Sequence, residues 1–309
     1  MSISRFFCLC MSPAIDATVK LRSSPKGDGE VFKDVDEEEN VGGKGVNVAR
    51  WLALRGAEVS CGGLLGEDND RPFAKELAKY GIADCFARIP GATRRNEMIT
   101  WPGGSMKLNR AAFPGLVQAD LEELDVLKCA DGHVAADKPR VAILSGSLPP
   151  AAPKDFYAKA VARLKELGFA VVLDASGDAL VEGVKAHPDV IKPNADECAA
   201  LVGFVPKSPD DFAKATAELK KVCGCPIISD GGAGCWFDGK FAAAPKVDVL
   251  DTTAAGDTLL AEWCWRSFGA QCDDAAEWAV AAGSAACTMP GGTPPPLSLV
   301  EELRGTSSL

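Results

Sequence analysis

The sequence lacks a long run of apolar residues. No stretch of the 309 residues approaches the ~18 consecutive apolar residues that a membrane-spanning helix needs. The apolar run at the N-terminus is short and is broken by Pro13 and Asp16, which is too soon for a secretory signal peptide. We therefore expect a cytoplasmic protein with no membrane partner.

The sequence also lacks an excess of basic residues. Its formal net charge is −10 and its pI is about 4.9, so it has no basic footprint for nucleic acid or for an anionic membrane surface. An anionic substrate would need a local cluster of Lys and Arg. Paired C-x-x-C motifs are missing too, and we interpret the 12 scattered cysteines as reduced core residues.

The second half of the chain alternates regularly between predicted strands and helices. Apolar strands are predicted over Arg140–Leu144, Phe169–Leu173, Val190–Ile191 and Pro226–Ile228, and each ends in Ser, Asp, Asn or Gly. Near-continuous apolar strands that alternate with helices predict an α/β fold, with a doubly wound, mainly parallel sheet covered by helices on both faces. Ligands bind such sheets at the carboxyl ends of the strands.

Short strands and few helices characterise the region from Glu30 to Arg110, where Glu30–Asp36 reads as an exposed strand. This pattern predicts a small β subdomain across the mouth of the α/β core. Its basic residues can supply the cationic cluster that an anionic substrate needs, or they can form a solvated charged face. These residues are Arg94, Arg95, Lys107 and Arg110.

A glycine-rich turn precedes the first predicted helix, at Gly42-Gly43-Lys44-Gly45-Val46-Asn47. Glycines let a ligand approach the backbone, and the helix start supplies N–H groups. The turn is not a Walker A loop, because no Ser or Thr follows the Lys. Lys44 and Asn47 can recognise a polar ligand, while Asp16, at the end of the first strand, is either a ligand contact or a turn residue.

A second turn, Asp251–Asp257, follows a predicted strand at Val247–Leu250 and opens a helix. Free N–H groups and the helix dipole make such a turn an anion site. Asp257 is there either as a helix N-cap or as a base. The small residues Gly283–Ala286 either permit close helix packing or leave a flat slot for a planar base.

With these two motifs the sequence resembles the ribokinase-like (PfkB) family of sugar kinases. The resemblance covers about Ile3 to Pro296 and includes four further motifs. These are Ser12-Pro13-Ala14-Ile15-Asp16, Ser145-Gly146-Ser147-Leu148-Pro149-Pro150, Lys192-Pro193-Asn194-x-x-Glu197 and Ser229-x-Gly231-x-x-Gly234.

The resemblance implies one ribokinase-like domain over residues 1–309, with a β lid from about 14–38 and 84–114, that transfers the γ-phosphoryl group of ATP with Mg²⁺. It implies Asp257 as the base and the N–H groups of Ala255, Gly256 and Asp257 as an anion hole. The implied substrate contacts are Asp16, Gly43, Lys44, Asn47, Arg94, Lys107, Arg110 and Ser145. The implied ATP contacts are Lys192, Asn194, Ser229, Gly231, Gly234, Gly283 and Ser284, with Glu197 and Asn194 at the metal.

Within the family, the lid and the Ser145–Pro150 motif resemble the phosphofructokinases and tagatose-6-phosphate kinase, which implies a phosphorylated hexose as substrate. The position of Arg110 before Pro114-Gly115 is more similar to fructose-6-phosphate kinases than to 1-phosphofructokinases. The alternatives are a kinase of an unphosphorylated sugar or nucleoside, and a weakly active sensor.

The sensor alternative comes from Ala254, where the family usually has Gly. If that residue is left-handed, Ala costs about 1–2 kcal/mol. The family also implies a homodimer formed through the β lids.

Overall fold

Two β-sheets organise the computed structural model, which describes residues 5–27, 29–33, 35–118, 121, 124–127, 130 and 140–306. The strands of these residues are β1 Arg5–Cys10, β2 Ala14–Lys20, β3 Asp36–Gly42, β4 Glu58–Gly66, β5 Ala83–Ile89, β6 Arg95–Trp101, β7 Gly104–Leu108, β8 Arg140–Ser145, β9 Ala170–Asp174, β10 Val190–Ile191, β11 Cys225–Ser229, β12 Gly234–Phe237 and β13 Lys240–Ala243.

The α-helices of the same residues are α1 Lys44–Leu54, α2 Arg71–Lys79, α3 Phe156–Glu166, α4 Gly177–Gly183, α5 Ala195–Val202, α6 Pro209–Leu219, α7 Ala255–Cys264, α8 Ala275–Ala286 and α9 Leu297–Thr306. Short 3₁₀ turns cover Glu67–Asn69, Val184–Ala186 and Gly231–Ala233, and a π-helical turn, Trp265–Ala270, follows α7. The sequence also predicts a helix over 119–130, and most of this segment lies outside the described residues.

The larger sheet has the order β13-β12-β11-β10-β9-β8-β1-β4-β5. Its strands are parallel from β5 through β11, and the hairpin β12–β13 closes the edge in antiparallel pairing. Alternate side chains of β1 enter two separate apolar clusters, with Phe6 and Cys8 in one and Phe7 and Leu9 in the other. The predicted doubly wound sheet is confirmed, and its order reverses between β1 and β8, where such sheets bind ligands.

The smaller sheet, which we call the lid, has the order β3-β2-β6-β7. Two boundaries differ from the sequence prediction. β5 pairs with β4 in the larger sheet, so the second segment of the lid does not begin at 84. Only Asp36 of the predicted strand Glu30–Asp36 is in a strand, because the described residues before it have no neighbouring strand. The assignment of the chain to a single domain remains a prediction.

The strand predicted at Val247–Leu250 is wrong, because this segment is irregular. The N–H groups of Leu250 and Asp251 donate to the carbonyl of Cys287 at the end of α8, at 2.8 and 3.1 Å. The backbone is therefore satisfied by a helix end instead of a strand, and Val249 and Leu250 stay exposed. Among the described residues no helix is long and apolar enough to cross a membrane.

The cysteines only partly follow the interpretation as reduced core residues. Ten of them carry free thiols, and seven of these ten are buried. Cys85, by contrast, is disulfide-bonded, so for this residue the interpretation is wrong.

Helix α7 begins after a left-handed residue that is not glycine. Ala254 has φ 62° and ψ 5° and contributes no side-chain cap. Its carbonyl accepts the first hydrogen bond of the helix, from Thr258 N–H at 2.8 Å. Ala254 is therefore left-handed, and its Cβ makes this backbone conformation strained.

We expect Ala254→Gly to raise the free energy of unfolding by about 1 kcal/mol, because glycine adopts the left-handed region without a Cβ clash. Urea unfolding measures this change. The control is Ala200→Gly, at an exposed position inside α5, which should lower stability by about 1 kcal/mol because glycine weakens a helix interior. Equal losses in both variants would contradict the strain at Ala254.

Candidate active site

The starts of α1 and α7 meet at a buried hydrogen bond. Asn47, in the first turn of α1, donates from Nδ2 to Oδ2 of Asp257, in the first turn of α7, at 2.8 Å. Both side chains are buried, and Asp257 is 5% exposed. Asp257 makes no cap hydrogen bond to the helix backbone, so the N-cap interpretation of this residue is wrong.

The glycines before α1 are required by the chain itself. A Cβ at Gly42 would lie 1.9 Å from Asp16 Oδ2, and one at Gly43, where φ is 111°, would lie 2.8 Å from Cys10 Sγ. A Cβ at Gly45 would lie 2.7 Å from Cys10 Cβ. Close packing against the end of β1 and against Asp16 therefore explains these glycines without a ligand.

Asp257 occupies an environment that favours its protonated form. Burial raises the pKa of its carboxyl group and the nearby Asp174 raises it further, while Lys44, the hydrogen bond from Asn47 and Lys192 lower it. The net pKa is higher than usual for an aspartate. A carboxylate with a raised pKa and a fixed orientation is suited to accept a proton.

A second buried carboxylate, Asp174, lies at the end of β9 between two lysines. Its Oδ1 is 3.3 Å from Lys44 Nζ and 3.2 Å from Lys192 Nζ. Burial raises the pKa of Asp174, but Lys192 and Lys44 outweigh burial and hold it below the usual value. The other oxygen, Oδ2, is buried and has no hydrogen-bond partner among the residues described.

The start of α7 presents unpaired N–H groups. The N–H of Ala255 donates weakly to Thr252 O at 3.3 Å, whereas those of Gly256 and Asp257 have no acceptor within the described part of the chain. A Cβ at Gly256 would lie 3.4 Å from Lys192 Nζ, so this ammonium group lies beside the same turn. Two N–H groups, a helix start and a lysine together form an anion site.

A cavity of about 490 Å³ joins the two turns and the lid. Its lining includes most of the predicted substrate contacts. These substrate contacts are Asp16, Gly43, Lys44, Asn47, Arg94 and Lys107. The lining also includes the predicted ATP contact Lys192 and the predicted catalytic residues Gly256 and Asp257. The lining also contains Ser147 and Thr252–Ala254, which belong to the predicted motifs, and Asn96 and Asn109, for which the sequence suggested no role.

Of the predicted catalytic and substrate-binding residues, three lie outside the lining of this cavity, namely Ala255, Arg110 and Ser145. Arg110 is 60% exposed at its side chain and pairs with Glu97 at 3.1 Å. Ser145 is fully buried, and its hydroxyl has no hydrogen-bond partner among the described residues. It lies beside Asp174 in the pairing of β8 with β9.

The lid cations divide into two groups. Arg95 forms ion pairs with Glu37, Glu39 and Glu97, and so belongs to a charged lid face. Arg94 instead donates to the carbonyls of Ser12, Pro13 and Arg110 at 2.9–3.2 Å and lines the cavity. Within the described part of the chain, one N–H on each terminal nitrogen of Arg94 has no acceptor and is left for a ligand.

Asp16 and Asn96 are paired across β2 and β6. Asn96 Nδ2 donates to Asp16 Oδ1 at 2.9 Å, and Asn96 Oδ1 accepts from the N–H of Arg110 at 3.1 Å. Asp16 is therefore held in place as a cavity residue by the lid strand. No sequence motif singled out Asn96, because its role depends on strand pairing.

Six of the predicted ATP and metal residues lie between the end of β10 and the start of β12, namely Lys192, Asn194, Glu197, Ser229, Gly231 and Gly234. Asn194 and Glu197 form a reciprocal capping box at the start of α5, with hydrogen bonds of 2.7 and 3.0 Å. Asn194 also forms a β-bridge with Ser229, which brings Lys192–Glu197 beside the loop that contains Gly231. A Cβ at Gly234 would lie 2.2 Å from Ala242 O, so strand pairing requires this glycine.

The small residues of α8 pack against α7. A Cβ at Gly283 would lie 3.2 Å from Leu259 Cβ and 3.3 Å from Ala255 O. Gly283 and Ser284 are both buried in the structure. Close helix packing thus accounts for Gly283 without an adenine slot.

Comparison with known proteins identifies the family of the chain. Residues 9–298 match the pfkB family carbohydrate kinases. The 1-phosphofructokinase of Vibrio cholerae is 34% identical over 267 residues, which are 83% of this chain and 81% of the relative.

Solved structures show the same fold. Phosphofructokinase-2 from Escherichia coli, in complex with substrates and products, superposes with a TM-score of 0.86 at 20% identity and covers 99% of this chain and 100% of that one. Ribokinase from Thermotoga maritima superposes with a TM-score of 0.72 at 21% identity, over 98% and 99% of the two chains. The chain belongs to the pfkB family of carbohydrate kinases and is an enzyme that phosphorylates a sugar from ATP.

Proposed function

We propose that this kinase transfers the γ-phosphoryl group of ATP to a hydroxyl of a phosphorylated hexose. The observation that carries the proposal is that Asp257 and two lid cations, Arg94 and Lys107, line one cavity. A guanidinium group with free N–H donors is suited to bind a terminal phosphate.

Fructose 1-phosphate is the favoured acceptor, ahead of fructose 6-phosphate and tagatose 6-phosphate. The relative from Vibrio cholerae, at 34% identity, is named 1-phosphofructokinase. This name outweighs the preference for fructose 6-phosphate that rests on the position of Arg110. Arg110 pairs with Glu97 and is not part of the cavity lining, which further weakens the argument from that residue.

In the proposed mechanism Asp257 accepts the proton of the attacking hydroxyl group. Asn47 orients its carboxylate by the 2.8 Å hydrogen bond, and burial keeps water away from it. The N–H groups of Gly256 and Asp257 stabilise the negative charge of the transferred group by hydrogen bonding. The N–H of Ala255 contributes less, because it already donates weakly to Thr252. Asp16 and Asn47 position the sugar hydroxyls.

Lys44 and Lys192 neutralise the phosphates of the nucleotide. In the structure they share Asp174 Oδ1, so both ammonium groups are already held at the anion turn before a phosphate arrives. Burial lowers the pKa of Lys44, but Asp174 and then Asp257 raise it well above its usual value, so this lysine stays charged. We extend the nucleotide site along Asn194, Ser229, Gly231 and Gly234, and on to Ser284 and Gly283.

The residues present fit Mg²⁺. The unpaired buried oxygen of Asp174 and the second oxygen of Glu197, which has no partner among the described residues, are both anionic donors. Asn194 adds an amide oxygen, and Mg²⁺ needs few protein ligands because it keeps several waters. These residues would hold the ion near the nucleotide, where it would supply positive charge against the phosphates of ATP.

The lid also suggests a homodimer. Alternation along β7 puts Lys107 on one face and Met106 and Leu108 on the other, where they are 51% and 41% exposed. β3 and β7 are the edges of the lid sheet, and open edges favour association. We place the enzyme in the cytoplasm, where its ten free thiols would stay reduced, and cell fractionation checks that placement.

We expect light scattering to give the mass of a dimer, twice 32.3 kDa. The double variant Met106→Glu, Leu108→Glu should shift the protein to a monomer, because it puts four like charges into the contact of two lids. The control is Val249→Glu, another exposed apolar position outside the lid. A wild-type monomer, or a double variant that stays dimeric, would refute assembly through the lid.

Arg94→Ala should raise the KM for the phosphorylated sugar about 10-fold or more and leave the KM for ATP unchanged, because a charge-assisted hydrogen bond contributes about 1.5–3 kcal/mol. Coupled ADP release measures it, with fructose 1-phosphate, fructose 6-phosphate, tagatose 6-phosphate, fructose and ribose as acceptors. Arg95→Ala is the matched control, since the neighbouring arginine is paired with lid glutamates. Turnover with fructose or ribose alone would establish a kinase of unphosphorylated sugars instead.

Asp257→Asn should lower kcat about 10³-fold and change KM little, because the amide keeps the size of the side chain and cannot accept the proton. Steady-state kinetics and thermal unfolding together separate this effect from a loss of fold. An unchanged kcat would overturn the assignment of the base. Absence of turnover in the wild type, with ATP and sugar phosphate still bound, would favour a sensor.

A further inference from the structure

Asn47 is held from both sides. Its Nδ2 donates to Asp257, and its Oδ1 accepts from Nη2 of Arg50 at 2.5 Å. An amide can satisfy a carboxylate with its NH₂ group and a guanidinium with its oxygen, and not the reverse. The two neighbours therefore fix the orientation of the Asn47 side chain.

Arg50 is itself fixed by three groups from different parts of the chain. It is 3% exposed, and Nη2 uses its second hydrogen on the carbonyl of Gly292 at 3.3 Å. Nη1 donates to Glu76 Oε1, on α2, at 3.1 Å. Arg50 does not line the substrate cavity.

Gly292 connects Arg50 to the anion turn by a second route. A Cβ at Gly292 would lie 3.4 Å from Thr253 Cγ2 and 3.5 Å from Ala254 Cβ, so this loop packs on the left-handed turn that starts α7. Arg50 thus contacts both the residue that orients Asp257 and the loop that covers the turn.

We propose that Arg50 is a positioning residue for phosphoryl transfer, which with Glu76 holds the amide of Asn47 so that Asp257 faces the acceptor hydroxyl. This inference rests on the proposed role of Asp257 as base. The charged groups that face Asp257 are Lys44 on α1, Asp174 at the end of β9 and Lys192 after β10, and Arg50 acts on it through Asn47.

The decisive variant is Arg50→Lys, which keeps the charge and removes the fork, so that one ammonium group cannot bind Asn47, Glu76 and Gly292 together. Since the hydrogen bond from Asn47 lowers the pKa of Asp257, a misplaced amide should raise that pKa. We expect the acid limb of the pH profile of kcat to move to higher pH. We also expect kcat to fall about 10-fold, with the KM for the sugar nearly unchanged.

The matched control is Arg55→Lys, the same change at the C-cap of the same helix. Arg55 pairs with Glu262 and not with Asn47, and lysine keeps the charge of that ion pair, so this variant should leave both kcat and the acid limb in place. Glu76→Gln, at a half-buried position, loosens Arg50 without touching α1 and should lower kcat in the same direction. This variant keeps the test decisive if Arg50→Lys does not fold.

A double-mutant cycle separates positioning from general stability. In the Asn47→Ala background, Arg50→Lys should have little further effect on kcat, because the contact through which it acts is gone. An equal loss of kcat in both backgrounds, or an acid limb that does not move, would overturn the proposal.

The kinetic assays use whichever acceptor the wild type phosphorylates. If that acceptor is not a phosphorylated hexose, the proposed function is contradicted, but the role of Arg50 can still be tested. Carbon-13 NMR of the aspartate carboxyl groups, with the Asp257 signal assigned by Asp257→Asn, needs no acceptor. The pKa of Asp257 should be higher in Arg50→Lys than in the wild type and unchanged in Arg55→Lys. Equal values in all three proteins would refute the positioning role.

Discussion

The buried contact between α1 and α7 is the constraint on which the site depends. Two carboxylates of α7, Asp257 and Glu262, point into this contact, and a buried carboxylate is costly unless donors surround it. Asn47 supplies the donor at one end of the contact. At the other end Glu262 accepts from Trp51 at 2.8 Å and pairs with Arg55 and Arg266. Asn47 and Trp51 lie one turn apart on α1, and their two hydrogen bonds fix the register of α1 against α7. Asn47 and its partner Asp257 are 210 residues apart in the chain.

Sequence reasoning identified the parts of this molecule whose signals are local. The parallel strands are apolar runs that end in small or polar residues, and the two turns are marked by glycine and aspartate, so both were predicted before their distances were known. Val247–Leu250 has the composition of a strand, but strand formation needs a neighbour, and its backbone bonds to Cys287 instead. The prediction that β5 belongs to the lid is wrong for the same reason. A local sequence pattern does not show which strand is the neighbour, and β5 pairs with β4 in the larger sheet.

Residues that act through contacts distant in sequence were missed. Asp174 is one aspartate at a strand end, and only the folded chain puts Lys44 and Lys192 on its oxygen. The sequence gives no signal for Arg50 beyond its position in a helix. Its role depends on hydrogen bonds to Glu76 and Gly292, which only the folded chain places next to it. Gly42 shows the opposite error, since the sequence pattern explains it by a ligand although neighbouring protein atoms suffice, and at Gly283 the same atoms favour the alternative of close helix packing.

The pairing of lid cations with lid glutamates has a consequence for how fast an anionic substrate can arrive. Arg95 and Arg110 are neutralised by glutamates, and the whole chain carries −10. The net charge of the whole chain therefore gives no long-range attraction for a sugar phosphate, and we expect attraction only within a Debye length of about 8 Å from Arg94 and Lys107. Substrate capture should then gain nothing from electrostatic steering, and added salt, which screens the repulsion, should speed the encounter instead of slowing it.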